Sequence, residues 1–347
     1  MKLCFRWYGQ QDPVTLQHIR QVPGVQGVVS ALFDIPVGQV WPHDPIARMR
    51  QRVEDAGLKL MGIESVPVHE DIKLGRATRE VYLENFCRTI QNLGSQGISV
   101  LCYNFMPIFD WMRTDLATPL PDGSTCLSYN HAEVIKINPL SLGEIILPAW
   151  VGDFSQARLK ELFAAYALVD EERIWDNLAY FLEQVVPVAE QCGVKLGIHP
   201  DDPPWPIFGL PRIIGNERCL QRVIDLVDSP ANGLSLCSGS LGADPDNDIP
   251  RMVRRFGAQG RIHFAHLRNV RVTGDRSFHE IAHASAEEGL DMYEIIKAYH
   301  AVGFNGIMRP DHGRAIWGEK GIAGYGLYDR SLGASYILGL WEAVSRG

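Results

Sequence analysis

Four stretches of the chain end an apolar run on a side chain able to bind a metal ion: VKLGIHPDDPP with His199, NGLSLCSGS with Cys237, RIHFAHLRNV with His266 and GIMRPDHG with Asp311. Imidazole, thiolate and carboxylate together suit a divalent first-row ion, and by ligand type Zn, Fe(II), Co and Mn are all acceptable. Each residue alone is ordinary. A histidine that ends a strand is more often hydrogen-bonded than ligating, and a cysteine in an apolar strand usually packs as a small hydrophobe. Recurrence at four successive strand ends is what points to one metal site. Side chains alternate across a strand, so His263 and His266 face opposite ways; His266, nearer the carboxyl end and on the face of Arg268, is the expected ligand. Pro203 and Pro204 stop the run that follows His199, and Pro310 ends the ladder just before Asp311.

These ends must be brought together by the elements that carry them, and the chain alternates strand with helix. Strands are expected over 3–8, 27–32, 59–66 and 98–105, then at the four stretches above. Helices are expected from Pro13 through Ile19, over 46–56 with Asp44 as N-cap, 79–93, 159–167, 174–191, 220–227, 249–256, 290–301 and 330–344. Eight such units most simply close into a (β/α)8 TIM barrel, whose chemistry sits at the carboxyl ends of the strands. A doubly wound open sheet would bring a glycine-rich phosphate turn after the first strand, and LCFRWY is followed by the lone Gly9. The rhythm breaks after the fourth strand: an insertion of about 106–157 carries a turn at Pro121, Asp122 and Gly123 between LATPL and STCLSY, which reads as a small hairpin. It is expected to be a lid or a subunit contact rather than a bare loop, within a single domain covering 1–347.

Composition limits the partners. The 347 residues carry a formal charge of -8, which disfavours a polyanion such as nucleic acid. Seven scattered cysteines resemble reduced cytoplasmic thiols more than a disulfide framework. The start MKLCFRWYGQ turns polar too soon for a leader peptide, and no apolar run approaches the roughly 18 residues of a membrane span. A cytoplasmic protein that forms a homo-oligomer and takes a small-molecule partner, with neither nucleic acid nor membrane, is expected.

The longer motifs carry a resemblance. FRWYG, ALFDIPVGQVW, CYNFMP with FDWMRTDL, LPDGS, GIHPDDPP, LCSGSLG, HFAHLRNV, RPDHGR and GYGLYDR run nearly end to end, and with them the chain resembles the D-mannonate dehydratase family, itself similar to xylose-isomerase-like barrels. The resemblance implies a divalent cofactor, Mn or Fe(II), at His199, Cys237, His266 and Asp311, and dehydration of the sugar acid D-mannonate to 2-dehydro-3-deoxy-D-gluconate. Such a reaction needs a base for the C2 proton and an acid for the departing 3-hydroxyl. His312, next to Asp311, and Tyr325, on the loop GIAGYGLYDR whose glycines 321, 324 and 326 offer φ freedom for closure, are the candidates, in either order. Arg268 and Arg6 are candidates for the substrate carboxylate, and Asn269, Trp7, Tyr8 and Asn104 for the rest of the substrate. Arg6 is expected to face away from Tyr8, so that at most one of them enters the barrel mouth. A metal-dependent sugar isomerase or epimerase, and a noncatalytic sugar-acid binder, are the alternatives on the same scaffold.

Overall fold

The computed structural model describes residues 1–141, 154–285 and 289–347; the part of the expected insertion between 142 and 153 lies outside them. Twelve strands are present among the described residues: β1 (Lys2–Arg6), β2 (Gly27–Ser30), β3 (Lys59–Glu64), β4 (Val100–Tyr103), β5 (Asp115–Pro119), β6 (Thr125–Tyr129), β7 (Lys195–Ile198), β8 (Asn232–Cys237), β9 (Ile262–Leu267), β10 (Asn269–Gly274), β11 (Ser277–Ile281) and β12 (Ile307–Pro310). Eight of them close a barrel in the order β1-β12-β9-β8-β7-β4-β3-β2, every neighbouring pair parallel.

Strand side chains alternate between two environments. Cys4, Val29, Val100, Cys102, Phe264 and Ile307 form a cluster of their own, the filling of the barrel. Their neighbours in sequence, such as Leu3, Phe5, Val28, Leu101, Ala265 and Met308, belong to the larger core under the helices. The helix Glu171–Gln191 shows how the outer layer forms. Asp170 accepts the Arg173 N–H, Glu171 and Glu172 sit in the first turn, and Ile174, Leu178, Phe181, Leu182, Val185 and Ala189 make one buried face.

Two helices are begun and capped differently from the sequence reading. Asp12 takes the N–H groups of Tyr8 and Val14 on its two oxygens, which delays the first helix to Leu16–Arg20 with Thr15 as its cap. The second, His43–Asp55, has Pro42 at its N-cap position with no side-chain cap, and Asp44 stands in the first turn instead. No helix among the described residues is long and apolar enough to cross a membrane.

The larger difference is a second sheet of four strands, ordered β10-β11-β6-β5. The β5–β6 hairpin is the one expected around Asp122 and Gly123. The β10–β11 hairpin was not expected, because RIHFAHLRNV reads as one strand. It breaks at Arg268, whose N–H donates to Ser238 Oγ while Ser238 Oγ donates back to the Arg268 carbonyl; Asn269 then pairs antiparallel with Ile281. Phe278 and His279 of β11 pair with Tyr129 and Ser128 of β6, so a segment following β9 completes the sheet begun by the insertion.

Candidate active site

The ladder places three of the metal-capable side chains side by side. Cys237 pairs in register with His266, and His266 with Arg309; the His199 N–H extends the neighbouring ladder by donating to the Tyr103 carbonyl. Ligand atoms of His199, Cys237 and His266 all lie within 4.8 Å of one another. Asp311 adjoins this trio, with Oδ2 3.5 Å from Cys237 Sγ and Oδ1 2.7 Å from Arg309 Nη1. His199 Nδ1 lies 2.7 Å from the Pro200 carbonyl, a contact that places a proton on Nδ1 and leaves Nε2 as the atom that would take an ion. Burial lowers this imidazole, but the Cys237 thiol and Asp311 outweigh it and push it up to about 9, so an ion would displace the Nε2 proton. His266 is fully buried, and its Nε2 has no hydrogen-bond partner. Burial and the adjacent Arg309 hold His266 well below the ordinary imidazole range, in the neutral form a metal requires. An orphaned buried nitrogen beside a thiol and a second imidazole fits a divalent ion of borderline softness.

His263 behaves as its parity requires. It points away from the cluster and gives its Nδ1–H to the Leu196 carbonyl at 2.8 Å.

A second group of side chains lies beside the first. His312 Nε2 is 2.8 Å from the Tyr325 hydroxyl, and His312 Nδ1 is 2.8 Å from Glu280 Oε1. Arg268 Nη1 also lies 2.9 Å from His312 Nδ1, but two donors cannot bond each other. The Arg268 group lies 3.2 Å from Glu280 Oε1 as well, so the arginine and the imidazole share that carboxylate oxygen. Nδ1 then carries the proton, and Nε2 accepts from the tyrosine. Burial raises the Tyr325 hydroxyl well above its usual value, so the phenol stays protonated at neutral pH.

Glu280 belongs to β11 and is fully buried. Burial alone would raise its pKa, but His312, Arg268 and Arg113 more than reverse this and keep it ionised. Arg113, contributed by the insertion, forks onto both Asp202 oxygens at 2.8 and 3.0 Å and reaches Glu280 Oε1 at 2.8 Å. Arg268 Nη2 meets Asp202 Oδ2 at 2.8 Å. Two arginines and two carboxylates thus lock the second sheet to the ends of β7 and β9. Trp111, also from the insertion, lies over His312 with ring centroids 4.9 Å apart.

The remaining candidates fall in different places. Arg6 and Tyr8 lie together, the guanidinium 4.9 Å from the phenol ring centroid. This corrects the expectation that they face apart: residues two apart on an extended chain share a face. The Tyr8 ring also meets Tyr325 edge-on at 4.8 Å. Trp7 is buried in the outer core. Asn104 Oδ1 accepts the Met106 N–H, and Asn269 Oδ1 accepts the Leu290 N–H. Of the loop glycines, Gly324 alone has a positive φ, +78°; Gly326 lies so close to the Glu319 carboxylate that a Cβ would strike it.

Sequence reasoning missed Glu64, Arg113, Asp202 and Glu280. Glu64 ends β3 as His199 ends its own run, so the strand-end rule reaches it, and Arg309 holds it with bonds of 3.0 and 2.7 Å. Asp202 stands inside GIHPDDPP. Arg113 and Glu280 carry no such signal, because their place depends on how two distant hairpins join.

A closed parallel barrel whose strand ends carry a His/Cys/His cluster beside a tyrosine–histidine pair is a TIM barrel with side chains able to hold a metal ion next to a proton-transfer pair. L-ribulose 3-epimerase shares the barrel fold at a TM-score of 0.56 and 14% identity, over 100% of this chain and 96% of that one. The family model of D-mannonate dehydratase (UxuA) matches residues 1–347. The mannonate dehydratase of Thermotoga neapolitana is 58% identical over 355 aligned residues, covering 100% of this chain and 98% of the relative, and that of Thermotoga maritima is 57% identical with the same coverage. The crystal structure of mannonate dehydratase from Streptococcus suis serotype2 superposes with a TM-score of 0.93 at 46% identity, over 100% of this chain and 95% of that one. The chain belongs to the D-mannonate dehydratase family and is a hydro-lyase.

Proposed function

We propose that the protein dehydrates D-mannonate to 2-dehydro-3-deoxy-D-gluconate and water, with a divalent ion, Mn or Fe(II), held by His199, Cys237, His266 and Asp311. The observation that carries this reading is the hydrogen-bonded Tyr325–His312–Glu280 chain standing beside a buried metal-capable cluster. When bound, the ion supplies Lewis-acid stabilisation of the charge that develops as the weakly acidic C2 proton leaves. We assign the base to His312, because Glu280 fixes the proton on Nδ1 and the Nε2 lone pair, which accepts the Tyr325 hydroxyl in the free site, is released to the C2 proton when that hydroxyl turns to the substrate's 3-hydroxyl. Tyr325, protonated by virtue of its raised pKa, is the acid for the 3-hydroxyl. The C–O bond then breaks with release of water, and the C2–C3 enol rearranges to the 2-oxo product. Because the two side chains are 2.8 Å apart, the proton taken by His312 can return to the phenolate and reset the pair. Glu280 faces the imidazolium formed in between and stabilises it.

The test is turnover of D-mannonate, followed by semicarbazide absorbance of the 2-oxo acid, with free aldoses in parallel and with and without chelator. Mannonate alone is expected to react, and only with metal. His312→Asn and Tyr325→Phe should retain metal and lose turnover, and only the His312 variant should also stop exchange of the C2 proton with solvent. Both variants dehydrating near the parent rate would remove these roles.

A further inference from the structure

The guanidinium groups buried around the site differ in how far their donors are engaged. Arg113 and Arg268 are tied to Asp202 and Glu280. Arg309 grips both oxygens of Glu64. Arg330 is surrounded by the carbonyls of Arg6, Tyr325 and Gly326. Arg268 lacks a partner at Nε alone, with both terminal nitrogens engaged, whereas in Arg6 both Nε and Nη1 are buried without a hydrogen-bond partner. The Glu64 Oε2 atom stands 3.5 Å from Nη1, and that carboxylate is already committed to Arg309. An unsatisfied buried donor is destabilising, so this arrangement makes sense where a ligand completes it.

The guanidinium is held in place by other means. It lies 4.9 Å from the Tyr8 ring centroid and 5.7 Å from that of Phe33, and the Arg6 carbonyl is gripped by Arg330. On one side Glu64 links it to His266, whose Nε2 is 3.7 Å from Glu64 Oε1. On the other, Tyr8 links it to Tyr325. Arg6 therefore stands between the metal-capable cluster and the proton-transfer pair. Charge points the same way. Counted over a divalent ion, the Cys237 thiolate, the Asp311 and Glu64 carboxylates and the Arg309 and Arg6 guanidinium groups, one positive charge is left over, and Arg309 is already held by both Glu64 and Asp311.

We infer that Arg6 is the specificity determinant of the site: its free donors receive the substrate carboxylate, selecting aldonates over neutral sugars of the same length. Arg268, by contrast, is a structural member of the Asp202–Glu280 network and does not bind the carboxylate. The inference rests on the dehydratase reading. If the metal-loaded parent fails to turn over mannonate, that reading falls; if it turns over mannonate and Arg6 proves indifferent to the acid group, only the inference falls.

The experiment compares the metal-loaded parent with Arg6→Gln and Arg6→Lys. D-Mannonate and its neutral amide, D-mannonamide, are titrated as ligands by calorimetry with Tyr325→Phe added to every protein, so that mannonate is bound and not consumed, and metal content is measured on each sample. A charge-assisted hydrogen bond of about 1.5–3 kcal/mol corresponds to roughly 10- to 150-fold in affinity, so the parent should prefer the acid by about that factor. Arg6→Gln should bring the two ligands within about threefold, with metal content unchanged, and Arg6→Lys should keep part of the preference. Equal weakening of both ligands, or an unchanged preference for the acid, overturns the assignment. If Arg6→Gln does not fold, the lysine variant decides alone: a preference identical to the parent's refutes the role of the fork.

Discussion

Replacing Glu280 by glutamine isolates the charge that the second sheet delivers to the site. Glu280 Oε1 collects Arg113 Nε at 3.1 Å and Nη2 at 2.8 Å, Arg268 Nη1 at 3.2 Å and His312 Nδ1 at 2.8 Å, whereas Oε2 has no partner. The amide nitrogen of Glu280→Gln can therefore take the Oε2 side while the oxygen keeps its donors, so shape is preserved and one negative charge is lost. Arg113 and Arg268 are then left with Asp202 as their shared carboxylate. Breaking a buried ion pair costs about 3–5 kcal/mol, and retention of the hydrogen bonds places this variant near the lower end, about 3 kcal/mol. The catalytic loss follows from the imidazolium that His312 becomes after taking a proton. A unit charge about 4 Å away is worth roughly 4 kcal/mol at an effective dielectric of 20, and the flanking arginines offset part of it. A fall in kcat of about 100- to 1000-fold is expected, with KM changed less than about threefold, since the carboxylate supports the proton transfer and not the ligand. Urea unfolding and steady-state kinetics on the same metal-loaded preparation measure both. A stable protein whose kcat stays within about fivefold of the parent would refute the orienting and stabilising role of Glu280.

Cys237→Ala should lose metal together with activity, measured by elemental analysis of the purified protein; full occupancy with intact turnover would take the thiol out of the site. His263, held at about 4 by burial against an ordinary 6.5, is neutral in the fold and charged in the unfolded chain between those values. The unfolded state binds the extra proton there, so stability falls as the pH drops from about 6.5 to about 4 and is level above; His263→Gln should flatten that part of the profile in equilibrium unfolding. Gly324→Ala places a methyl 2.7 Å from Leu127 and 3.3 Å from His312 at a φ of +78°. It should cost about 1–2 kcal/mol of stability and lower kcat severalfold by moving the adjacent Tyr325, while Gly321→Ala, which meets only Pro13 at 3.7 Å, should leave both unchanged.

How much of this was legible in the sequence depends on the range of the interactions concerned. Apolar runs alternating with helical periodicity are local signals, and they gave the barrel, because a parallel strand buried on both faces has few other ways to satisfy its edges. The metal-capable residues were legible for the same reason: a polar side chain ending a buried strand must emerge at the barrel's carboxyl rim, whatever the rest of the chain does. Local strand parity also separated His266 from His263, and it would have placed Arg6 beside Tyr8 had residues two apart been set on one face. Tertiary structure alone decided what surrounds these groups. The break at Arg268 depends on Ser238, some thirty residues earlier, and without that break β10 and β11 are hidden inside one apparent strand. Their pairing with the hairpin of the insertion brings Glu280 under His312 and Arg113 between Glu280 and Asp202, joining segments more than a hundred and fifty residues apart. No local periodicity encodes such a meeting. It follows from burial of charges that must find each other once water is excluded, and that condition exists only in the assembled fold.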